Sequence, residues 1–265
     1  MSLILVQLDI DSTLIKNGGV SEGLYPAAFW KLTGKMPTTI AETEGRTEPQ
    51  IIANLFIAQS LPIPPKQRIL EALEWALRDS AQETRLLENG YVLPGVFELL
   101  TYLRDRPQVF IPSVLTGNIE ANARYKLHAF GLLDYLDARV GSYGSDDDDR
   151  TKLVAISQRR VEKKYHRPFS RGNTVVIGDT ALDIRAGIFG GACVVAVGTG
   201  EDSVRVLEDA AQQFESEAIQ GMILPPNVRN TAVVIPDLRN IEVVIEAMSR
   251  VLNRLVEDPP VSMAT

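Results

Sequence analysis

Short apolar runs alternate with segments of helical periodicity along most of the chain. The runs are rich in Val, Ile and Leu and lack a strict alternation of apolar and polar residues, which is typical of strands covered on both faces. Such alternation of strands and helices predicts a parallel sheet with crossover helices. The predicted strands cover residues 3–8, 109–115, 174–177, 193–197 and 232–235, and the predicted helices include 119–130, 150–164, 183–189 and 203–214.

The stretch between the first two predicted strands has a different pattern. From residue 14 to about residue 91, apolar residues recur at three- and four-residue spacing, which predicts helices over 25–32, 49–60 and 65–87. So much helix is too long for a crossover connection. We therefore predict an α/β fold with a Rossmann-like, doubly wound parallel sheet and an inserted small α-helical cap domain. The predicted core covers 1–16 and 92–256, the cap covers 17–91, and 257–265 is a flexible tail.

Composition narrows the classes of function. The chain is 45% hydrophobic and has a formal net charge of −7, which argues against nucleic acid as the main partner. No run of 18 apolar residues exists, so we expect no membrane span, and the first residues do not resemble a signal peptide. With a single cysteine, a cytoplasmic location is expected. A small phosphorylated substrate stays compatible with the negative charge, because a metal ion can supply positive charge.

Two pairs of acidic residues follow predicted strands. Asp9 and Asp11 come at the end of the first strand, where a spacing of two residues places both side chains on one side. Asp179 and Asp183 follow the third strand at a spacing that suits one face of a helix. Both pairs are expected at the carboxyl edge of the sheet, where ligands bind in open α/β folds. Acidic pairs there favour a hard cation such as Mg²⁺, although each pair alone is also compatible with helix capping.

A third polar turn follows the second predicted strand. Thr116 offers a hydroxyl, and Gly117 and Asn118 offer backbone N–H groups near the start of a helix. This arrangement suits the oxygens of a small anion such as a phosphoryl group. Taken alone, the turn is more typical of an ordinary helix cap.

Together, the three strand ends resemble the haloacid dehalogenase-like hydrolase superfamily from about Leu3 to Leu238. The helical insert, followed by Pro94, Gly95 and Val96, is similar to the branch containing phosphoglycolate phosphatase and β-phosphoglucomutase. The matching motif positions are Asp9, Asp11 and Thr13 in the first motif, Thr116 in the second, and Gly178, Asp179 and Asp183 in the fourth.

The resemblance implies a magnesium-dependent phosphatase acting on a small phosphorylated metabolite, either phosphoglycolate-like or a sugar phosphate. Asp9 is implied as the nucleophile and Asp11 as the acid and base. The implied magnesium ligands are Asp9, the backbone carbonyl of Asp11, and Asp179, while Asp183 either binds through water or orients a basic residue. Thr116, Gly117 and Asn118 are implied to hold phosphoryl oxygens. A phosphomutase is the alternative, and a non-catalytic member of the superfamily is a further one.

Two basic positions stay open at this point. The superfamily places a basic residue just before the helix that precedes the fourth motif, and both Arg150 and Lys152 qualify, with Arg150 favoured. Arg46, in a loop of the cap, is either a ligand for a substrate carboxylate or second phosphate, or a surface residue. The sequence leaves the oligomeric state open.

Overall fold

Six strands with buried side chains form the central sheet of the computed structural model, which describes residues 3–43, 45–225 and 230–253. Every neighbouring pair in this sheet is parallel. In spatial order the strands are β5 (Ser142–Tyr143), β4 (Phe110–Thr116), β1 (Ile4–Leu8), β6 (Thr174–Gly178), β7 (Cys193–Val197) and β8 (Ala232–Ile235). The first strand therefore lies in the middle, with its end between the ends of β4 and β6.

Helices cover both faces of the sheet, because strands with apolar side chains on both sides must be shielded from water on both sides. One apolar cluster joins the sheet to α5 (Val96–Arg104), α6 (Glu120–Ala129) and α10 (Ile241–Val251). Two other clusters join its opposite face to α7 (Arg150–Tyr165), α8 (Ala181–Gly190) and α9 (Val204–Gln220). The predicted fold class, a doubly wound α/β sheet, is confirmed.

A helical insert interrupts this core directly after the first strand. It comprises α1 (Val20–Thr33), α2 (Glu48–Ala58), α3 (Lys66–Leu77) and α4 (Ser80–Asn89), which pack around an apolar cluster of their own. The chain enters it through β2 (Ile15–Lys16) and leaves it through β3 (Tyr91–Val92), and these two short strands pair antiparallel, with Lys16 opposite Tyr91. We call residues 17–90 the helical insert.

Some elements differ from the prediction. The single helix predicted over 65–87 is two helices, because the side chain of Asp79 accepts a hydrogen bond from the backbone N–H of Ala81 and starts a new helix. The strands β2, β3 and β5 were not predicted, since two residues carry no periodicity. The predicted tail, 257–265, lies outside the described residues, as do residues 226–229. No helix in the described ranges has the length and apolar character needed to cross a bilayer.

Candidate active site

Three polar strand ends meet at the centre of the sheet. Asp9 directly follows β1, Thr116 ends β4, and Asp179 directly follows β6, so that neighbouring parallel strands bring the three residues together. The backbone N–H of Asp9 donates to the carbonyl of Ile177 at 2.9 Å, which extends the pairing with β6 up to the site. The sequence motifs therefore converge at the carboxyl edge of the sheet, where α/β folds bind ligands.

Asp9 is a buried carboxylate with an unused acceptor. Only 6% of the residue is exposed, and its Oδ1 accepts no hydrogen bond among the described residues. The nearest cation is the guanidinium of Arg150, with 3.6 Å between Oδ1 and Nη2. Burial raises the pKa of Asp9 to about 7, although Arg150 and a hydrogen bond with Thr116 act in the opposite direction. An acceptor left without a partner in a buried site is expected to serve a ligand.

Asp179 and Asp183 complete a group of three buried acids. The hydroxyl of Thr13 donates to Asp179 Oδ1 at 2.7 Å, and burial together with Asp183 raises the pKa of Asp179 well above its ordinary value. Asp183 lies in the first turn of α8, where its Oδ2 accepts from the hydroxyl of Thr180 at 2.6 Å. Gly178 makes this turn feasible, because a Cβ there would lie 2.5 Å from the carboxyl carbon of Asp183.

The two basic candidates occupy different environments. Arg150 begins α7, is 8% exposed, and donates through Nη2 to Asp183 Oδ1 and through Nη1 to the carbonyl of Gly45 at 3.2 Å. Lys152 lies outside the site, since its side chain is 61% exposed and its Nζ pairs with Asp147 at 3.3 Å. The structure thus brings Arg150, and not Lys152, next to Asp9.

The acidic group has the chemistry of a magnesium site. One carboxylate oxygen each from Asp9, Asp179 and Asp183 lies within 4.8 Å of the others. Oxygen donors alone suit a hard cation such as Mg²⁺. The unpartnered Oδ1 of Asp9 and the raised pKa values of Asp9 and Asp179 indicate that these acids lack the positive charge that their ionised forms need. The residues therefore fit the ion.

Asp11 is held by a residue that the sequence motifs do not include. The ammonium group of Lys126 donates to Asp11 Oδ1 at 3.0 Å and to Oδ2 at 2.7 Å. The side-chain amide of Asn17 donates to Oδ1 at 2.9 Å, and the side-chain amide of Asn118 donates to Oδ2 at 2.8 Å. Burial disfavours ionisation of Asp11, but Lys126 and the two amides outweigh it and lower its pKa. Asp11 is therefore a fixed carboxylate in this structure.

Lys126 was missed because a lysine near the end of a helix is usually a solvated surface residue. A signal was nevertheless present in the sequence. Lys126 follows Asn122 by four residues and lies next to Leu127, on the stripe of α6 that also includes Ala123. Two polar residues on a buried helical stripe require buried partners.

The turn after β4 joins the core to the insert. The Oγ1 of Thr116 accepts from the backbone N–H of Asn118 at 3.3 Å and from its side-chain amide at 2.9 Å. The carbonyl of Gly117 accepts from the backbone N–H of Glu48 at 2.8 Å. A Cβ on Gly117 would lie 2.3 Å from the carbonyl oxygen of Arg46, so this close contact requires glycine.

A cavity of about 650 Å³ lies between the core and the insert. Its core side includes Asp9, Asp11 and Asp179, and its insert side includes residues 36–41 and Arg46. Arg46 is already engaged, since its Nη2 lies 2.8 Å from Glu42 Oε2. The volume is in the range of sites for small molecules.

Glu48 is a second buried group that the motifs do not include. It begins α2, and its Oε2 accepts from the backbone N–H of Ile119 at 2.9 Å and from the amide of Asn122 at 3.0 Å. Its Oε1 has no hydrogen-bond partner in the described part of the chain. Burial raises the pKa of Glu48 to about 7, against the lowering effect of Lys126. This carboxyl group attaches the insert to the start of α6.

The family of the chain follows from these motifs and from a direct match. Residues 5–191 match the model of the haloacid dehalogenase-like hydrolase family, so the chain belongs to that family, as the sequence motifs predicted. No curated protein matches the chain.

Solved structures with the same fold include three that cover most of the chain. A hydrolase from Pseudomonas syringae aligns with a TM-score of 0.62 at 18% identity, covering 92% of this chain and 98% of its own. A Bacteroides vulgatus protein named as a candidate β-phosphoglucomutase aligns with a TM-score of 0.60 at 16% identity, covering 96% of this chain and 91% of its own. A predicted phosphoglycolate phosphatase from Haemophilus somnus aligns with a TM-score of 0.59 at 14% identity, covering 91% of this chain and 97% of its own. At these identities the likeness establishes the fold alone.

Proposed function

We propose that this protein is a magnesium-dependent phosphatase that hydrolyses a small phosphorylated metabolite through a phosphoryl group carried on Asp9. The observation that supports this most is the free Oδ1 of Asp9, a buried acceptor that lines the cavity beside Arg150 and two further buried acids. A nucleophile needs an unengaged lone pair. By contrast, Oδ1 of Asp179 accepts from Thr13, and the two oxygens of Asp183 accept from Arg150 and Thr180.

Magnesium would be held by carboxylate oxygens of Asp9 and Asp179 and by the backbone carbonyl of Asp11. A carboxylate oxygen of Asp183 lies within 4.8 Å of those of Asp9 and Asp179. When bound, the ion offsets the repulsion between an anionic nucleophile and an anionic substrate. Arg150 contributes a second, permanent positive charge next to Asp9, and Asp183 orients its guanidinium.

In the first step, Asp9 attacks phosphorus and the bond between phosphorus and the leaving oxygen breaks. Asp11, which is ionised in the free protein, takes up the proton of a substrate that binds as a monoanion. It gives this proton to the leaving oxygen as the alcohol departs, which leaves a phosphorylated Asp9. In the second step, Asp11 takes a proton from a water molecule whose oxygen attacks the same phosphorus, and phosphate leaves as Asp9 is restored. Thr116, with the turn formed by Gly117 and Asn118, binds phosphoryl oxygens.

The insert side of the cavity favours a neutral substrate end that carries hydroxyl groups. Arg46 is paired with Glu42 at 2.8 Å, and Glu22, Glu201 and Asp202 line the same cavity. A carboxylate in the substrate, as in phosphoglycolate, would have to displace Glu42 from Arg46. We therefore favour a sugar or polyol phosphate over phosphoglycolate.

The test is phosphate release from a panel that contains 4-nitrophenyl phosphate, phosphoglycolate and several sugar phosphates, with magnesium and with a chelator. We expect magnesium-dependent release, and a loss of about 10⁴-fold or more in Asp9→Asn, because the nucleophile is removed. Asp9→Asn should still fold, because it replaces a buried acid by a neutral side chain of similar shape. A cooperative unfolding transition of the variant checks this. Release that survives the substitution would rule out Asp9 as the nucleophile.

A phosphomutase is the alternative, because a structurally similar protein is named as a candidate β-phosphoglucomutase. It would return the phosphoryl group to a second hydroxyl instead of releasing phosphate. Sugar phosphate isomerisation without net phosphate release would favour it over the phosphatase. A folded protein that binds magnesium but changes none of the substrates would favour a non-catalytic role.

A further inference from the structure

Lys126 is among the most deeply buried charges of the described chain, with a side chain only 3% exposed. Lysine is almost never fully buried without partners, because its ammonium group loses the hydration of bulk water. Here each of the three oxygens around Nζ accepts a hydrogen bond: Asp11 Oδ1, Asp11 Oδ2 and Asn118 Oδ1, the last at 2.7 Å. An ammonium group has three donors, so Lys126 has no donor left for any other group.

These contacts leave Asp11 one orientation. Each of its carboxylate oxygens accepts from Lys126 and from one amide, Oδ1 from Asn17 and Oδ2 from Asn118. Rotation of the carboxyl group would break bonds to both oxygens together. Asn118 also accepts from Lys126, which closes a ring of hydrogen bonds between the end of β4, helix α6 and Asp11.

The position of Lys126 is itself fixed at the other end of α6. Glu48 accepts hydrogen bonds from the backbone N–H of Ile119 and from Asn122, one turn before Lys126. Ala123 and Leu127 of the same helix are fully buried in the core. Helix α6 therefore carries Lys126 as part of the rigid scaffold, and a rigid support is what the placement of a reacting group requires.

We propose that Lys126 is a positioning residue, which holds the Asp11 carboxyl group in the orientation from which it protonates the leaving oxygen of the substrate. This role presupposes the phosphatase activity proposed above. It assigns the two cations of the site to two different acids: Arg150 faces the attacking group, Asp9, and Lys126 supports the proton donor, Asp11.

The test compares two substrates of similar shape that differ in their need for a proton. The anion 4-nitrophenolate leaves from phosphorus without protonation, whereas phenolate depends on an acid. Because kcat/KM covers only the steps up to departure of the leaving group, the ratio of kcat/KM for phenyl phosphate to that for 4-nitrophenyl phosphate isolates the action of Asp11. In Lys126→Met we expect this ratio to fall about tenfold or more, since general acid catalysis contributes about 10²-fold or more.

Lys16→Met is the matched control. The Nζ of Lys16 donates to the carbonyl of Thr199 at 2.6 Å and to Ser12 Oγ at 3.1 Å, and not to Asp11. Its loss removes one positive charge near the cavity without loosening Asp11, so the ratio should stay within about twofold of the wild-type value.

A further variant separates positioning from a structural role. If Lys126 acts through Asp11, adding Lys126→Met to Asp11→Asn should leave the ratio of the single Asp11→Asn variant unchanged, because residues that act as a unit are not additive. Lys126→Gln, which keeps an amide donor in the same place, carries the test if Lys126→Met does not fold. A folded Lys126 variant that slows both substrates equally would overturn the proposal, and no turnover by the wild-type protein would instead overturn the phosphatase function.

Discussion

The two sides of the cavity differ in how firmly their residues are held. On the core side, Thr116 and Asp183 are completely buried and hydrogen-bonded, while Asp9 Oδ1 and Arg150 Nε have no hydrogen-bond partner among the described residues. On the insert side, Met36 is 62% exposed and Ile40 is 96% exposed, and Arg46 is held by a surface ion pair. The two sides of the cavity therefore place very different constraints on their residues.

This difference indicates which side of the cavity can accept substitutions. A buried network of charged, hydrogen-bonded side chains tolerates few substitutions, because the loss of one partner leaves another charge unpaired. An exposed loop can change its side chains at little cost in stability. We therefore expect relatives to share the core side and to differ on the insert side, and the following variants test that contrast.

The largest effect is expected at Arg150. Arg150→Met should lower kcat by about 10³-fold, or about 4 kcal/mol, because it removes the cation beside the nucleophile. Lys152→Met should stay within about twofold, since an exposed ion pair contributes little. Steady-state kinetics with 4-nitrophenyl phosphate measure both. Equal losses in the two variants would show that burial on the core side does not mark the essential cation.

The next effect concerns Glu48, which belongs to the insert but is as buried as the core side. Its pKa is raised from 4.5 to about 7, so the folded state holds a proton that the unfolded state loses first. Stability from this group therefore falls as pH rises from about 4.5 to about 7 and is constant above that. Glu48→Gln has no carboxyl group here, so this loss should be absent. Relative to the wild type, its free energy of unfolding should therefore gain roughly 3 kcal/mol between pH 4.5 and pH 8.

Urea unfolding of the chelator-treated protein between pH 4.5 and pH 8 measures this difference. The control is Glu71→Gln, because Glu71 is exposed on α3 and accepts only from Gln67 one turn earlier. This variant removes a carboxylate of the insert without touching α6, so it should not show the gain expected of Glu48→Gln. A flat difference for Glu48→Gln would mean that Glu48 ionises freely, and that the insert is less firmly attached to α6 than the structure indicates.

The smallest effect is expected at Ile40. Ile40→Ser should change the free energy of unfolding by less than about 0.5 kcal/mol, since the side chain is almost fully exposed. Because Ile40 lines the cavity, KM for the preferred substrate should change while kcat for 4-nitrophenyl phosphate does not. A large loss of stability would contradict the contrast between the two sides.

The motifs that follow the central strands were predictable from the sequence because each residue of the proposed active site follows an apolar run at a fixed spacing. Asp9, Thr116 and Asp179 each come at or directly after a strand, so the topology of a parallel sheet brings them together. The choice between Arg150 and Lys152 was not settled, since both lie near the start of one helix and only packing separates them.

Lys126 and Glu48 show what the sequence could not provide. Both belong to helices, and their roles depend on which side chains lie opposite them: Asp11 for Lys126, and Asn122, across the boundary between insert and core, for Glu48. Helical periodicity places a residue on a face but does not identify the partner of that face. The break between α3 and α4 was missed for a related reason, because apolar spacing continues across Arg78 and Asp79 while a single hydrogen bond to the side chain of Asp79 begins a new helix.

The pairing of Lys16 with Tyr91 has an evolutionary consequence. Paired residues of antiparallel strands lie only about 5 Å apart, so the insert leaves the core and returns to it at almost the same place. A chain segment whose two ends meet can be exchanged, enlarged or shortened without moving the strands that flank it. Substrate range in this family can therefore diversify by replacement of a whole module, while the inherited catalytic centre stays intact.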